Sequence, residues 1–307
     1  MKTLLHERIM YPFGHQTNPH LPLLQRQTSA WIDQYQLPPS LGHAMKQSAF
    51  DQLTALFYPH ATPELLIPCG RLMVWVFVFD DVYCSKPLPL LRTAHRRLME
   101  LLQGDQPDPG ETAYFTEFAT ALKELQPYVN KSWMERFTAD WAYFFEGQIH
   151  ETSYSYKYPL TYPTIREFSL LREKVGAAYP FVDLAEIETG LILPDEIYLH
   201  PAIQQARYFT SKLTTAANDI LSVVKELRNS EALNLVSVIQ NELGCSQDEA
   251  FERAVELHNQ LTSDYLALRA DWPDFGEYHA AVDCYVQNLE LIIAGHLAWY
   301  EDNERYK

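Results

Sequence analysis

The chain is predicted to be all-α, a single-domain helical bundle of about ten or more helices. Three observations predict it. Apolar residues return at helical spacing through most of the 307 residues, and several stretches open on helix-capping signals. No β-rich alternation and no Asn-Gly or Asp-Gly hairpin dipeptide appears. No linker, internal repeat or low-complexity tract marks a boundary, so residues 1–307 read as one unit although the length alone would permit two.

Residues 1–20 contain Pro12, Gly14 and Pro19 and no period, and read as an extended lead-in. From Leu21 to Leu37 apolar residues recur until Pro38-Pro39 stops the helix. A second helix fits Leu41 to Phe57. Thr62-Pro63-Glu64 is a helix start, with Thr as N-cap and Pro at the first helical position. The helix it opens, Glu64 to about Cys84, is apolar nearly all round, as a central buried helix should be. Further helices fit roughly 88–103, 111–127 and 129–150. Tyr154, Tyr156, Tyr158 and Tyr162, with Pro159 and Pro163, then break the pattern. Thr164-Ile165-Arg166-Glu167 has capping-box spacing and opens a helix towards Gly176. Pro180 and Gly190 bracket a short, weaker helix, and His200-Pro201 leads into a long one. Ser246 with Glu249 caps a helix to about Ala270, and the last runs from Phe275 to Trp299.

Composition narrows the class. Hydrophobic content of 47% is ample for a core. A net charge of −16 argues against a nucleic-acid partner and against an anionic membrane surface. Cys69, Cys84, Cys245 and Cys284 show no CxxC or Cys/His spacing and read as free thiols of a reducing compartment. The start MKTLLHERIM places His6, Glu7 and Arg8 where a signal peptide needs its apolar run. The apolar run Leu72 to Phe79 is far short of a membrane span. A soluble cytoplasmic protein, monomer or homodimer, is expected.

Two polar clusters carry the chemistry. On the long helix, Asn218, Ser222 and Glu226 recur at every fourth position and so stack on one face. An amide oxygen, a hydroxyl and a carboxylate form an oxygen-only set that suits a hard cation, Mg²⁺ before Zn²⁺. Lys225 beside them could hold an anion that the metal also holds. The plain alternative is an amphipathic helix with a solvated stripe. The second cluster, Asp80-Asp81, ends a buried apolar helix, where carboxylates are costly unless paired or metal-bound and where the helix dipole disfavours them. Solvated acids at a helix end are the plain reading there. His150 and His296 have no partner at ligand spacing and read as surface or core residues.

These residues carry a resemblance. Asp80-Asp81-Val82-Tyr83-Cys84 resembles the aspartate-rich motif of class I terpene synthases, the bacterial-type terpene cyclases of the isoprenoid synthase family. Asn218-Asp219-x-x-Ser222-x-x-Lys225-Glu226 is similar to that family's second metal motif, lysine included. Arg172, 46 residues before Asn218, lies where the family's diphosphate-sensing arginine is expected. Arg305-Tyr306, with Trp299 six residues before Arg305, resembles the family's terminal pair. Asn18-Pro19-His20, Phe57-Tyr58-Pro59 and Trp75-x-Phe77 are weaker signs, and the resemblance runs from about residue 12 to 306.

The resemblance implies a bundle around a deep apolar cavity and an Mg²⁺-dependent cyclase acting on a linear prenyl diphosphate. Farnesyl diphosphate is the expected substrate, with geranylgeranyl diphosphate second. It implies three Mg²⁺ ions, held by Asp80, Asp81, Asn218, Ser222 and Glu226. Arg172, Lys225, Arg305 and Tyr306 would bind the diphosphate, and Gly176 would take the effector position after the sensor. Phe77, Phe181 and Trp299 would line the cavity, with Val76 where relatives often carry a second Phe. Two positions depart from the pattern. Cys84 replaces a third acid, which implies Asp80 as bridging ligand and Asp81 as partner of a base. Val175 stands where a polar linker is frequent. A chain-elongating prenyltransferase would carry a second DDxxD motif, which is absent here. An inactive isoprenoid-binding homologue is the rival of another class.

Overall fold

The computed structural model describes residues 8–9, 11–154, 161–228 and 233–303. Among them there is no strand, and the helices follow in order: α1 (Leu21–Gln34), α2 (Pro39–Lys46), α3 (Phe50–Phe57), α4 (Pro63–Tyr83), α5 (Leu88–Leu102), α6 (Ala113–Leu125), α7 (Lys131–Glu151), α8 (Ile165–Val175), α9 (Ala178–Ile187), α10 (Asp195–Tyr198), α11 (Pro201–Arg228), α12 (Leu235–Leu243), α13 (Gln247–Ala270) and α14 (His279–Asp302). The all-α expectation holds. No described helix is long and apolar enough to cross a membrane. The tyrosine-rich break at Tyr156, Tyr158 and Pro159 lies outside the described residues.

The caps read from sequence form as expected. The Thr62 hydroxyl accepts from Leu65 N at 3.4 Å, and both Thr164–Glu167 and Ser246–Glu249 close reciprocal capping boxes. Helix α4 is the axis of the core. Its Trp75 is fully buried, with ring centroids 4.8 Å from Phe79, 4.5 Å from Phe118 and 5.3 Å from Trp141. The Trp75 indole N–H donates to Tyr114 O at 2.6 Å, so the ring carries no unsatisfied polar atom inward. Around α4 pack α1, α3 and α6, while α11 packs against α9, α13 and α14. The four cysteines are free thiols.

The lead-in is tied down rather than merely extended. Asn18 is buried, and its amide donates to Tyr58 O at 2.7 Å and Ala61 O at 2.9 Å. The Tyr58 hydroxyl in turn donates to Phe181 O on α9 at 2.9 Å. Two short sequence signs thus join the lead-in to the helix behind the central cavity.

Several boundaries differ from expectation. The single helix expected over Leu41–Phe57 is two, broken before Phe50 by Ala49 in the left-handed region at φ 51°. The break persists because α14 satisfies the released carbonyls: Trp299 Nε1 donates to Ser48 O and Ala49 O, both at 3.1 Å, and Asn303 donates to Ser48 O at 2.9 Å. Helix α1 stops at Gln34, short of Leu37, with Gln36 at φ 50°. Pro180 lies inside the first turn of α9, where its missing N–H costs nothing. Helices α10 and α12 were not expected, and α14 starts at His279 after a 3₁₀ turn over Gly276–Tyr278.

Candidate active site

A cavity of about 180 Å³ lies between α3, α4, the α8–α9 junction, α11 and α14. Its polar wall is made by Asp80 from α4, Arg172 from α8 and Asn218 from α11. Val76, Phe77 and Phe181 face the same space. Phe77 stacks on Phe50 at 4.5 Å, which fixes its ring plane. Trp299 is fully buried and stands behind Phe77, centroids 6.1 Å apart, instead of lining the cavity. Its indole N–H is drawn away to the α2–α3 break.

On α11 the three stacked positions do lie along one face. Ser222 Oγ donates to Glu226 Oε1 at 2.5 Å, and Asn234 Nδ2 donates to Glu226 Oε2 at 2.7 Å. Asn218 Oδ1 accepts from Arg172 Nη2 at 2.7 Å, and its amide donates to the Tyr300 hydroxyl. Arg172 Nε also donates to Asp219 Oδ1 at 3.0 Å. Burial works against the guanidinium charge, but Asp219, Glu226 and Glu151 hold Arg172 above its ordinary value. Asp219 pays for the same burial, its carboxyl pushed up to about 7 despite Arg172, and its Oδ2 is buried without a hydrogen bond. Lys225 follows on α11 with its side chain outside the description, and Arg305 and Tyr306 lie outside the described residues.

Across the cavity Asp80 meets the cavity solvent but is walled in by protein. Desolvation raises its pKa, Asp81 adds to the rise, and hydrogen bonds from Cys84 and Gln148 oppose it. Cys84 Sγ donates to Asp80 Oδ1 at 3.0 Å and Gln148 Nε2 donates to the same oxygen at 3.2 Å. Gln148 is itself buried and held by His95, ring nitrogen to amide oxygen at 2.9 Å. The thiol in place of a third acid is therefore a donor to Asp80. Asp81 is exposed beside it. Glu151, at the end of α7, is pushed up to about 7 by burial and by the charges of Asp80, Asp219 and Glu226.

Gly176 ends α8, its N–H bonded to Arg172 O at 3.0 Å. A Cβ there would stand 2.3 Å from Thr215 Cγ2, so only glycine lets the α8–α9 junction press onto α11. Ala177 follows at φ 52° and turns the chain into α9 along the cavity wall. Gln148, Glu151, Tyr300 and His296 escaped the sequence reading as site residues. Spacing within the two motif helices cannot reveal them, because Gln148 and Glu151 come from α7 and His296 and Tyr300 from α14.

Among the described residues, no three His, Cys, Asp or Glu side chains stand close enough to hold a metal by themselves. The donors present are instead oxygen-only and split between two walls: Asp80 and Asp81 on one, Asn218, Ser222 and Glu226 on the other. That arrangement fits Mg²⁺, which binds through few protein carboxylates and completes its shell with water and substrate phosphate.

The description "Terpene synthase family 2, C-terminal metal binding" matches residues 71–264, well over half of the chain. Among curated relatives, (+)-T-muurolol synthase ((2E,6E)-farnesyl diphosphate cyclizing) of Roseiflexus castenholzii is 28% identical over 97% of this chain and 93% of its own length. Germacrene A synthase of Nostoc punctiforme is 24% identical over 100% of this chain and 96% of its own. Among solved structures, an α-eudesmol synthase superposes with a TM-score of 0.84 at 20% identity, covering 95% of this chain and 98% of its own.

Proposed function

The chain belongs to the terpene synthase family, a carbon–oxygen lyase acting on phosphates, and from that premise we propose that it ionises farnesyl diphosphate with Mg²⁺ and cyclises the carbocation to a sesquiterpene. The observation that carries this reading is the meeting of Asp80, Arg172 and Asn218 in the lining of a largely apolar cavity. Breaking an allylic C–O bond leaves negative charge on diphosphate and positive charge on carbon, and the two walls suit those two charges.

Arg172 holds the diphosphate end. Its planar fork matches phosphate oxygens, and it stays charged in spite of burial. The guanidinium donates to Asn218 Oδ1. An arriving diphosphate competes for Arg172 and so releases that oxygen for a cation. Asn218, Ser222 and Glu226 would hold one Mg²⁺, and Asp80 with Asp81 the others. When bound, these ions stabilise the charge that develops on the leaving diphosphate. Lys225, Arg305 and Tyr306 add donors to the same anion. Gly176, bonded through its N–H to Arg172 O, passes a shift of Arg172 to the turn that lines the cavity. Phe77 offers a ring face to the cation, worth about 0.5–2 kcal/mol, and with Phe181 keeps water out.

The names of three relatives specify cyclisation of farnesyl diphosphate, which favours the C15 substrate over the C20 one. Val76 on the cavity wall is the position that would admit a longer one. Such an enzyme would act in the cytoplasm on a small molecule, with neither nucleic acid nor membrane insertion, as a monomer or homodimer.

Incubation with geranyl, farnesyl and geranylgeranyl diphosphates and Mg²⁺, with mass spectrometry of the organic extract, tests the reading. A cyclic C15 product from farnesyl diphosphate is expected. Chain growth with added isopentenyl diphosphate would favour the prenyltransferase, and binding without diphosphate release the inactive homologue. Val76→Phe should suppress C20 turnover at least ~10-fold more than C15 turnover, as a methylene-scale clash is worth 10–200-fold. Equal loss on both would remove residue 76 from the size argument.

A further inference from the structure

Every cyclisation that ends in an olefin must hand a proton to some base, and the cavity wall narrows the choice. Thr210, Thr214 and Thr215 line it, but a neutral hydroxyl is a far weaker base than an imidazole, and each is held to a helix carbonyl, Ala206 O at 2.9 Å, Thr210 O at 2.8 Å and Ser211 O at 2.8 Å. Arg172 is a cation, and Asp80 and Asn218 serve the metal walls. The remaining polar lining residue is His296 on α14, 8% exposed. Its Nδ1 is buried with no hydrogen-bond partner. The ring is caged by Phe57 at 6.2 Å, Trp299 at 6.2 Å and Tyr300 at 5.2 Å. Phe57 lines the cavity with it, so the imidazole meets that space beside an aromatic ring that suits a hydrocarbon cation.

We propose that His296 is the base that ends the reaction, taking a proton from the final carbocation. This rests on the terpene cyclase reading above. In the step, a C–H bond beside the cationic carbon breaks and its electron pair becomes the new π bond. The proton goes to the lone pair of the unprotonated ring nitrogen, and the imidazolium later returns it to the departing diphosphate or to water. Burial, with the charge of Arg172, pushes the imidazole down to about 3, so it waits in the neutral form. A carbocation is a far stronger acid than such an imidazolium, so the transfer remains downhill. The bound diphosphate offsets Arg172 at the moment the imidazolium forms.

The test compares wild type, His296→Phe and His296→Gln with farnesyl diphosphate and Mg²⁺, after circular dichroism and melting establish which variants fold. Product distribution and diphosphate release are measured together. The wild-type olefin should fall at least 10-fold as a share of total products in either folded variant. Alcohols or olefins from earlier cations should take its place, while diphosphate is still released. An unchanged product ratio in either folded variant would overturn the assignment, as would a wild-type product that is solely an alcohol. Failure of the wild type to release diphosphate from any prenyl diphosphate would overturn the cyclase reading itself, and this assignment with it.

Discussion

At the scale of single residues, the site is a set of charges kept in check by one another. Asp219 is buried, its Oδ1 shared with Arg172 and its Oδ2 unpartnered, and its carboxyl stands at about 7 against an ordinary value of 3.8. Because its folded pKa is raised, the metal-free native state binds more protons than the unfolded chain between pH ~4 and ~7. Stability from this group is therefore present at low pH and lost as pH rises through about 7. The loss is at most ~4 kcal/mol at ~1.4 kcal/mol per unit. Melting of the metal-free protein at pH 5 and pH 7.5 checks it: wild type should lose several degrees more than Asp219→Asn. Parallel profiles would contradict the burial account. Asp219 was legible in the sequence only as the second letter of a motif. Its partnership with Arg172 spans 47 positions and two helices, which no spacing rule reaches. Cys84 is similar: as a missing acid it looked like a loss, and the fold makes it a donor to Asp80.

At the scale of elements, the junction of α8 and α9 joins Arg172 to the cavity wall. Gly176 permits the contact with α11, and Ala177 supplies the left-handed turn. Gly176→Ala would put its Cβ 2.3 Å from Thr215 Cγ2, and overpacking of this kind costs ~1–3 kcal/mol. Thr215→Ser removes that methyl while keeping a hydroxyl to reach Ser211 O. Thermal melts should therefore show Gly176→Ala destabilised and the double variant largely restored. If Thr215→Ser gives no rescue, the close approach is not what requires glycine. Helix starts were legible because Thr62, Thr164 and Ser246 satisfy local donors by local chemistry. Helix breaks were not, since the α2–α3 interruption depends on Trp299 and Asn303, more than 200 positions away.

At the scale of the whole molecule, the helices bring two sets of oxygen donors and a largely apolar cavity together from α4, α7, α8, α11 and α14. The all-α class and both motifs could be read from periodicity and spacing. The cavity could not, because its wall is drawn from side chains that point the same way only after packing: hence His296 was passed over. If Arg305 and Tyr306 bind the diphosphate, ligand should protect the segment they lie on. Hydrogen exchange over residues 300–307 should then slow on adding diphosphate and Mg²⁺ together. Unchanged exchange would count against their assignment.

The central claim is that the Asn218, Ser222 and Glu226 stripe serves metal-assisted ionisation. Diphosphate release from farnesyl diphosphate, followed against Mg²⁺ concentration in wild type and Glu226→Gln, tests it most directly. Release should require Mg²⁺ and fall by ~100-fold or more in the variant, with the fold retained. Release that persists in Glu226→Gln with the same Mg²⁺ dependence would contradict it.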